Sequence, residues 1–94
     1  MLENVFKRLL IKEIKAIFPG CLVLHTNPNE IQGIPDLLIL HRNKWAALEC
    51  KKSIHEFVRP NQEYYVELMN NMSYAAFIYP ENMKAVLNEL QQTL

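Results

Sequence analysis

The sequence predicts an α/β protein with a restriction-endonuclease-like αβββαβ core: a mixed sheet flanked by helices, followed by a C-terminal helix. Three observations carry this. Residues 2–18 repeat apolar side chains at helical spacing. Four short runs, 21–25, 36–41, 44–51 and 74–79, are apolar on consecutive or alternate positions. A segment of helix-forming composition separates the third run from the fourth and has the length of a crossover, which makes that last pairing parallel. A chain of 94 residues, half of them hydrophobic and 21% charged, is near the lower size at which one core suffices, and we read it as one domain, 1–94.

In LENVFKRLLIKEIKAIF, Leu2, Phe6, Leu9, Leu10, Ile14 and Ile17 form one stripe. Pro19-Gly20 stops that helix, CLVLH is a short strand, and TNPNEIQG, 26–33, is the one long polar loop. DLLILH and KWAALECK read as two strands covered on both faces. Arg42-Asn43 is a poor two-residue turn, so a four-residue loop is expected between them. Pro60 opens a helix running to about Asn70, YAAFIY is the fourth strand, and Pro80-Glu81 start a last helix with Met83, Val86, Leu87, Leu90 and Leu94 on its buried side.

Ten basic and ten acidic residues give zero formal charge, which excludes a protein that holds nucleic acid by bulk charge alone. Any phosphate-binding charge must lie on one face; the lysines of the first helix, Lys7 included, read as solvated. No run reaches the roughly 18 apolar residues of a membrane span, and the first eleven residues lack a secretory layout, so an intracellular, cytoplasmic place is expected. Cys21 and Cys50 have no metal or disulfide spacing and read as small core residues. His25, His41 and His55 lack ligand spacing and read as surface or phosphate-contacting groups, His25 beside the long loop.

Asp36, Glu49 and Lys51 interrupt otherwise apolar strand runs. With an even-numbered turn, facing residues have numbers summing to 85, so Leu40 faces Trp45, Leu38 faces Ala47 and Asp36 faces Glu49. Lys51 shares the face of Glu49, and Cys50 points the other way. Opposed carboxylates, with Cβ atoms about 4.5–5.5 Å apart, repel unless a cation lies between them. An all-oxygen site of this kind suits Mg²⁺, with Mn²⁺ able to substitute. A strand-start acid beside an exposed Glu49–Lys51 ion pair is the competing structural reading.

Pro35-Asp36 followed across a hairpin by Glu49-Cys50-Lys51 resembles the PD-(D/E)xK nuclease superfamily. More narrowly, Glu3, Gly33-Ile34-Pro35-Asp36, Leu48-Glu49-Cys50-Lys51 and Arg59-Pro60-Asn61-Gln62 are similar to small phage-type VRR-NUC domains. The LECK run also resembles archaeal Holliday-junction resolvases. The resemblance implies Asp36, Glu49 and the Cys50 backbone carbonyl as metal ligands, Lys51 orienting or activating water, and Gln62 positioning either. Glu3 would complete the acidic cluster, with Glu13 as the other candidate from that helix. It further implies a Mg²⁺-dependent endodeoxyribonuclease acting on branched or duplex DNA as a homodimer. A nuclease-like domain that binds nucleic acid or a protein partner without cutting is the alternative.

Overall fold

The computed structural model describes all 94 residues. Its elements follow the expected order: α1 (Glu3–Ile17), β1 (Leu22–His25), β2 (Leu37–His41), β3 (Lys44–Cys50), α2 (Pro60–Met72), β4 (Ala75–Ile78) and α3 (Met83–Thr93). The sheet is mixed, in the order β1-β2-β3-β4, antiparallel through the first three strands and parallel between β3 and β4.

Alternation along the strands sorts the core into two layers. Phe6, Leu10, Ile14 and Phe18 from α1 and its C-cap, with Val86, Leu87 and Leu90 from α3, pack on Leu37, Ile39, Ala46, Leu48, Cys50 and Ile78. On the opposite side Val66 of α2 packs on Ala47 and Ala75, with Trp45, Met69 and Phe77 around them. Because α2 lies over β3 and β4, residues Ala46–Cys50 are buried on both faces, as the unbroken apolar run requires.

Three local expectations are corrected. Leu2 and Leu9 face solvent: Leu2 is the N-cap, and Leu9 shares a surface groove with Val5, Arg8 and Lys12, about 100° around the helix from Leu10. The last helix begins at Met83, because residues 80–82 form a turn in which Asn82 Oδ1 accepts the Tyr79 N–H at 2.9 Å. The hairpin loop has two residues: His41 pairs with Lys44, and Arg42 takes φ 59°. A positive φ at the first central position alone is the type II′ pattern, whose twist matches the flanking strands well enough to hold a residue without glycine's freedom. The loop is still even-numbered, so the register summing to 85 is found, from His41 opposite Lys44 to Leu37 opposite Leu48.

No helix is long and apolar enough to cross a membrane. Cys21 and Cys50 are unpaired; Cys50 lies in the core, and burial pushes its thiol pKa far up, beyond reactive use.

Candidate active site

The open end of the β2–β3 ribbon gathers Asp36, Glu49, Lys51 and Gln62. Regular pairing stops at Leu37 opposite Leu48, and Asp36 continues the strand by one residue. Its backbone is pinned from β1: the Thr26 N–H donates to the Asp36 carbonyl at 2.9 Å, and Thr26 Oγ1 donates to the carbonyl of the buried Pro35 at 2.7 Å. Proline has no N–H to lose at this strand entrance and fixes the approach of the chain. Asp36 Oδ2 accepts the Cys50 N–H at 3.1 Å, which ties its side chain to β3.

Glu49 is only 4% exposed. Burial raises its pKa most, the adjoining Asp36 carboxyl within hydrogen-bonding reach raises it further, and the Lys51 ammonium offsets part, leaving it at about 8. Glu49 therefore favours its protonated form at neutral pH.

Lys51, 5% exposed, is held on every side. Its Nζ donates to Gln62 Oε1 at 2.8 Å and to the Phe57 carbonyl at 3.1 Å, and lies 3.4 Å from Glu56 Oε2 and 3.9 Å from Glu49 Oε2. A buried ammonium is tolerated because each of its three donors has a partner. Gln62 does two things at once. Its Oε1 accepts the Arg59 N–H at 3.1 Å, closing the first turn of α2, while its Nε2 donates to Glu49 Oε2 at 3.2 Å. The helix cap is thus also the bridge between Glu49 and Lys51.

Glu3 enters the edge of this cluster from α1. Its pKa is raised, by partial burial first and then by the nearby charges of Glu56 and Asp36, against the pull of Lys7 and Lys51. Glu13 is exposed, nearly three turns further along, and takes no part. No three His, Cys, Asp or Glu side chains stand together as a ready-made metal cage. The pair Asp36–Glu49 nevertheless suits a hard divalent ion: both donors are oxygens, they adjoin each other, and Lys7 and Lys51 offset their repulsion only in part, since the Glu49 pKa stays raised.

Two residues were not anticipated from sequence. Lys7, expected in solvent, places its Nζ 3.3 Å from Asp36 Oδ2. Its position one helical turn after Glu3, in line with Leu10 and Ile14, was the available sign that it faces the sheet. Glu56 Oε1 accepts the Lys52 N–H at 3.0 Å, so this carboxylate holds both its own turn and Lys51. Burial works against its charge, but these partners outweigh it and keep the carboxyl below its usual range. Nothing in the aperiodic stretch 52–59 signals that role.

Of the histidines, His25 lies beside Asp36 in a pocket with Lys7 and the long loop. His41 does not meet the site: it packs on Phe18, ring centroids 5.2 Å apart, at the turn end of the ribbon. Gly33, φ 92°, lets the loop press on α2, since a Cβ there would stand 2.8 Å from Asn61.

No protein-family model matches the chain, and no curated protein matches it in sequence. In structure it is similar to a solved protein described as a VRR_NUC domain protein, with a TM-score of 0.72 and 17% identity over 100% of this chain and 88% of that one. The fold is therefore the one that this VRR_NUC domain protein has, and in the present chain Asp36, Glu49 and Lys51 lie at one end of the sheet.

Proposed function

We propose that the protein is a Mg²⁺-dependent DNA endonuclease of the PD-(D/E)xK type, Mn²⁺ being able to substitute. The observation that carries this is the adjoining Asp36–Glu49 carboxyl pair, Glu49 buried and Asp36 half-buried, beside a fully engaged lysine. Asp36 and Glu49, with the Cys50 carbonyl and Glu3 as further oxygen donors, would hold the ion. A bound ion lowers the pKa of water and offsets charge on the reacting phosphate. Lys51 keeps an ammonium at a fixed place near the attacking water, Gln62 fixes that ammonium relative to Glu49, and the hydrolysed strand ends as a 5′-phosphate and a 3′-hydroxyl.

The substrate is branched DNA, a junction or flap, or a duplex target of the homing type. The loop 26–33 borders Asp36 and is the natural reader of that difference. Action as a homodimer is supported by the uncovered half of the sheet. Leu22 and Leu24, 59% and 45% exposed, adjoin an apolar groove of Leu38, Leu40, Trp45, Met69 and Met72. Two such faces related by a two-fold axis would cover one another. Light scattering that finds a monomer at micromolar concentration with DNA present would remove the dimer from the proposal.

The test of the enzyme is Asp36→Ala against the parent on supercoiled, four-way-junction, flap and linear DNA with Mg²⁺ or Mn²⁺. Cleavage by the parent and none by the variant is expected, and equal cleavage by both would end the assignment at this site. The absence of a preformed three-carboxylate cage favours a second reading, a nuclease-like domain that binds nucleic acid or a protein partner without cutting. DNA bound but left intact by the parent on all four substrates would select it.

A further inference from the structure

We propose that the pocket between α1 and the loop 26–33 is a phosphodiester-binding subsite in which Lys7 and His25 grip a phosphate flanking the cleaved one. This rests on the nuclease reading and extends it to how the strand is held. The pocket has a volume of about 150 Å³ and is lined by Lys7, His25, Thr26, Pro28, Ile34 and Asp36. It is large enough for one phosphate group with its water.

Its position follows from the register. His25 pairs with Leu37 and shares its side of the sheet with Val23 and Ile39, the side that α1 covers. Glu49 and Lys51 lie on the other side, below α2. Asp36, at the strand end, is in reach of both, accepting from the Cys50 N–H and facing the Lys7 ammonium. A DNA strand with its reacting phosphate at the carboxyl pair must carry a neighbouring phosphate toward one side or the other.

On the α2 side the Lys51 ammonium has no donor to offer, because its three N–H groups are engaged by Gln62, Phe57 and Glu56. On the α1 side, Asp36 is the one partner of Lys7, which leaves two N–H donors of that ammonium directed to the pocket. His25 adds an imidazole at the rim without an internal hydrogen bond. Thr26 is occupied with the Pro35 carbonyl and serves as wall.

The experiment measures anisotropy of a fluorescein-labelled duplex and a labelled four-way junction in metal-free buffer across a salt series. It compares the parent, Lys7→Met, Lys7→Arg, His25→Gln and, as a control for loss of charge at the far end of the same helix, Lys15→Met. Lys7→Met is expected to weaken binding about tenfold at 0.1 M salt and to lower the slope of log K against log salt by about one. Lys7→Arg should keep the parent slope, His25→Gln should weaken binding about threefold, and Lys15→Met should leave both quantities as in the parent. Thermal unfolding of each variant shows whether it is folded. Parent-like affinity and slope in Lys7→Met, with cleavage by the parent intact, would overturn the subsite alone. A parent that neither binds nor cuts DNA would remove the subsite together with the nuclease reading.

Discussion

The two cations beside Asp36 and Glu49 are built in opposite ways. Lys51 comes from the sheet, is buried, and has every donor satisfied by α2 and the segment before it. Lys7 comes from α1, is 20% exposed, and has a single carboxylate partner. Burial opposes the charge of Lys7, yet the Asp36 carboxylate outweighs that and raises its pKa. A group whose position must not vary is locked by packing, whereas one that must exchange partners keeps a single replaceable contact.

The sharpest way to break this comparison is to remove the fixed half. Asp36→Asn and Lys51→Met should each lower cleavage rates by about 10²-fold or more in single-turnover assays. Gln62→Ala unties the ammonium, the Glu49 carboxyl and the first turn of α2 together. At a loss of about 1–3 kcal/mol for buried partners left unsatisfied, about a tenfold drop in rate and a lower midpoint in urea are expected. Gly33→Ala leaves the chemistry untouched but drives a methyl onto Asn61 and strains a left-handed φ. It should cost about 1–3 kcal/mol by chemical denaturation and move KM more than kcat. On the helix side, Glu3→Gln should slow cleavage several-fold, about 1 kcal/mol, while Glu13→Gln leaves the rate unchanged. Equal effects at the two positions would show that α1 enters the site differently.

Acidity probes the carboxyl pair without a substitution. The pKa of Glu49 is raised from 4.5 to about 8, so the folded protein binds the extra proton. Stability from this group is complete below the unfolded value and is lost as pH rises through about 8. Glu3 shifts in the same sense and Glu56 in the opposite one. Metal-free protein should therefore lose midpoint in urea between pH 5 and pH 9, and millimolar Mg²⁺ should flatten that slope by replacing the proton.

Much of this was legible in the chain. Consecutive apolar residues in WAAL marked a strand covered on both faces, and the parity of the turn placed Asp36 opposite Glu49. The same pattern in LLIL misled, because α2 reaches over β3 and β4 but leaves Leu38 and Leu40 of β2 facing an open groove. The errors lie where non-local packing decides: Leu9 belongs to the helical stripe by spacing, but no element covers that side. Arg42 is tolerated in a left-handed turn because the flanking strands enforce it. Lys7 and Glu56 escaped because their partners are 29 and 5 residues away, across an interface or within a loop that has no period. The resemblance to nuclease motifs is legible only as a set, since each piece is a few residues long.

The two-residue turn at Arg42-Asn43 lies at the far end of the ribbon from the carboxyls, yet it decides which side chains meet there. One residue added to that loop would slip β3 by a single step relative to β2. With the two-residue bend kept, Leu48 would then oppose Asp36, and Glu49 would be turned toward the apolar layer beneath α1. A change of length at a solvent-exposed bend thus has the reach of an active-site mutation, while a change of identity there, such as Arg42→Gly, does not.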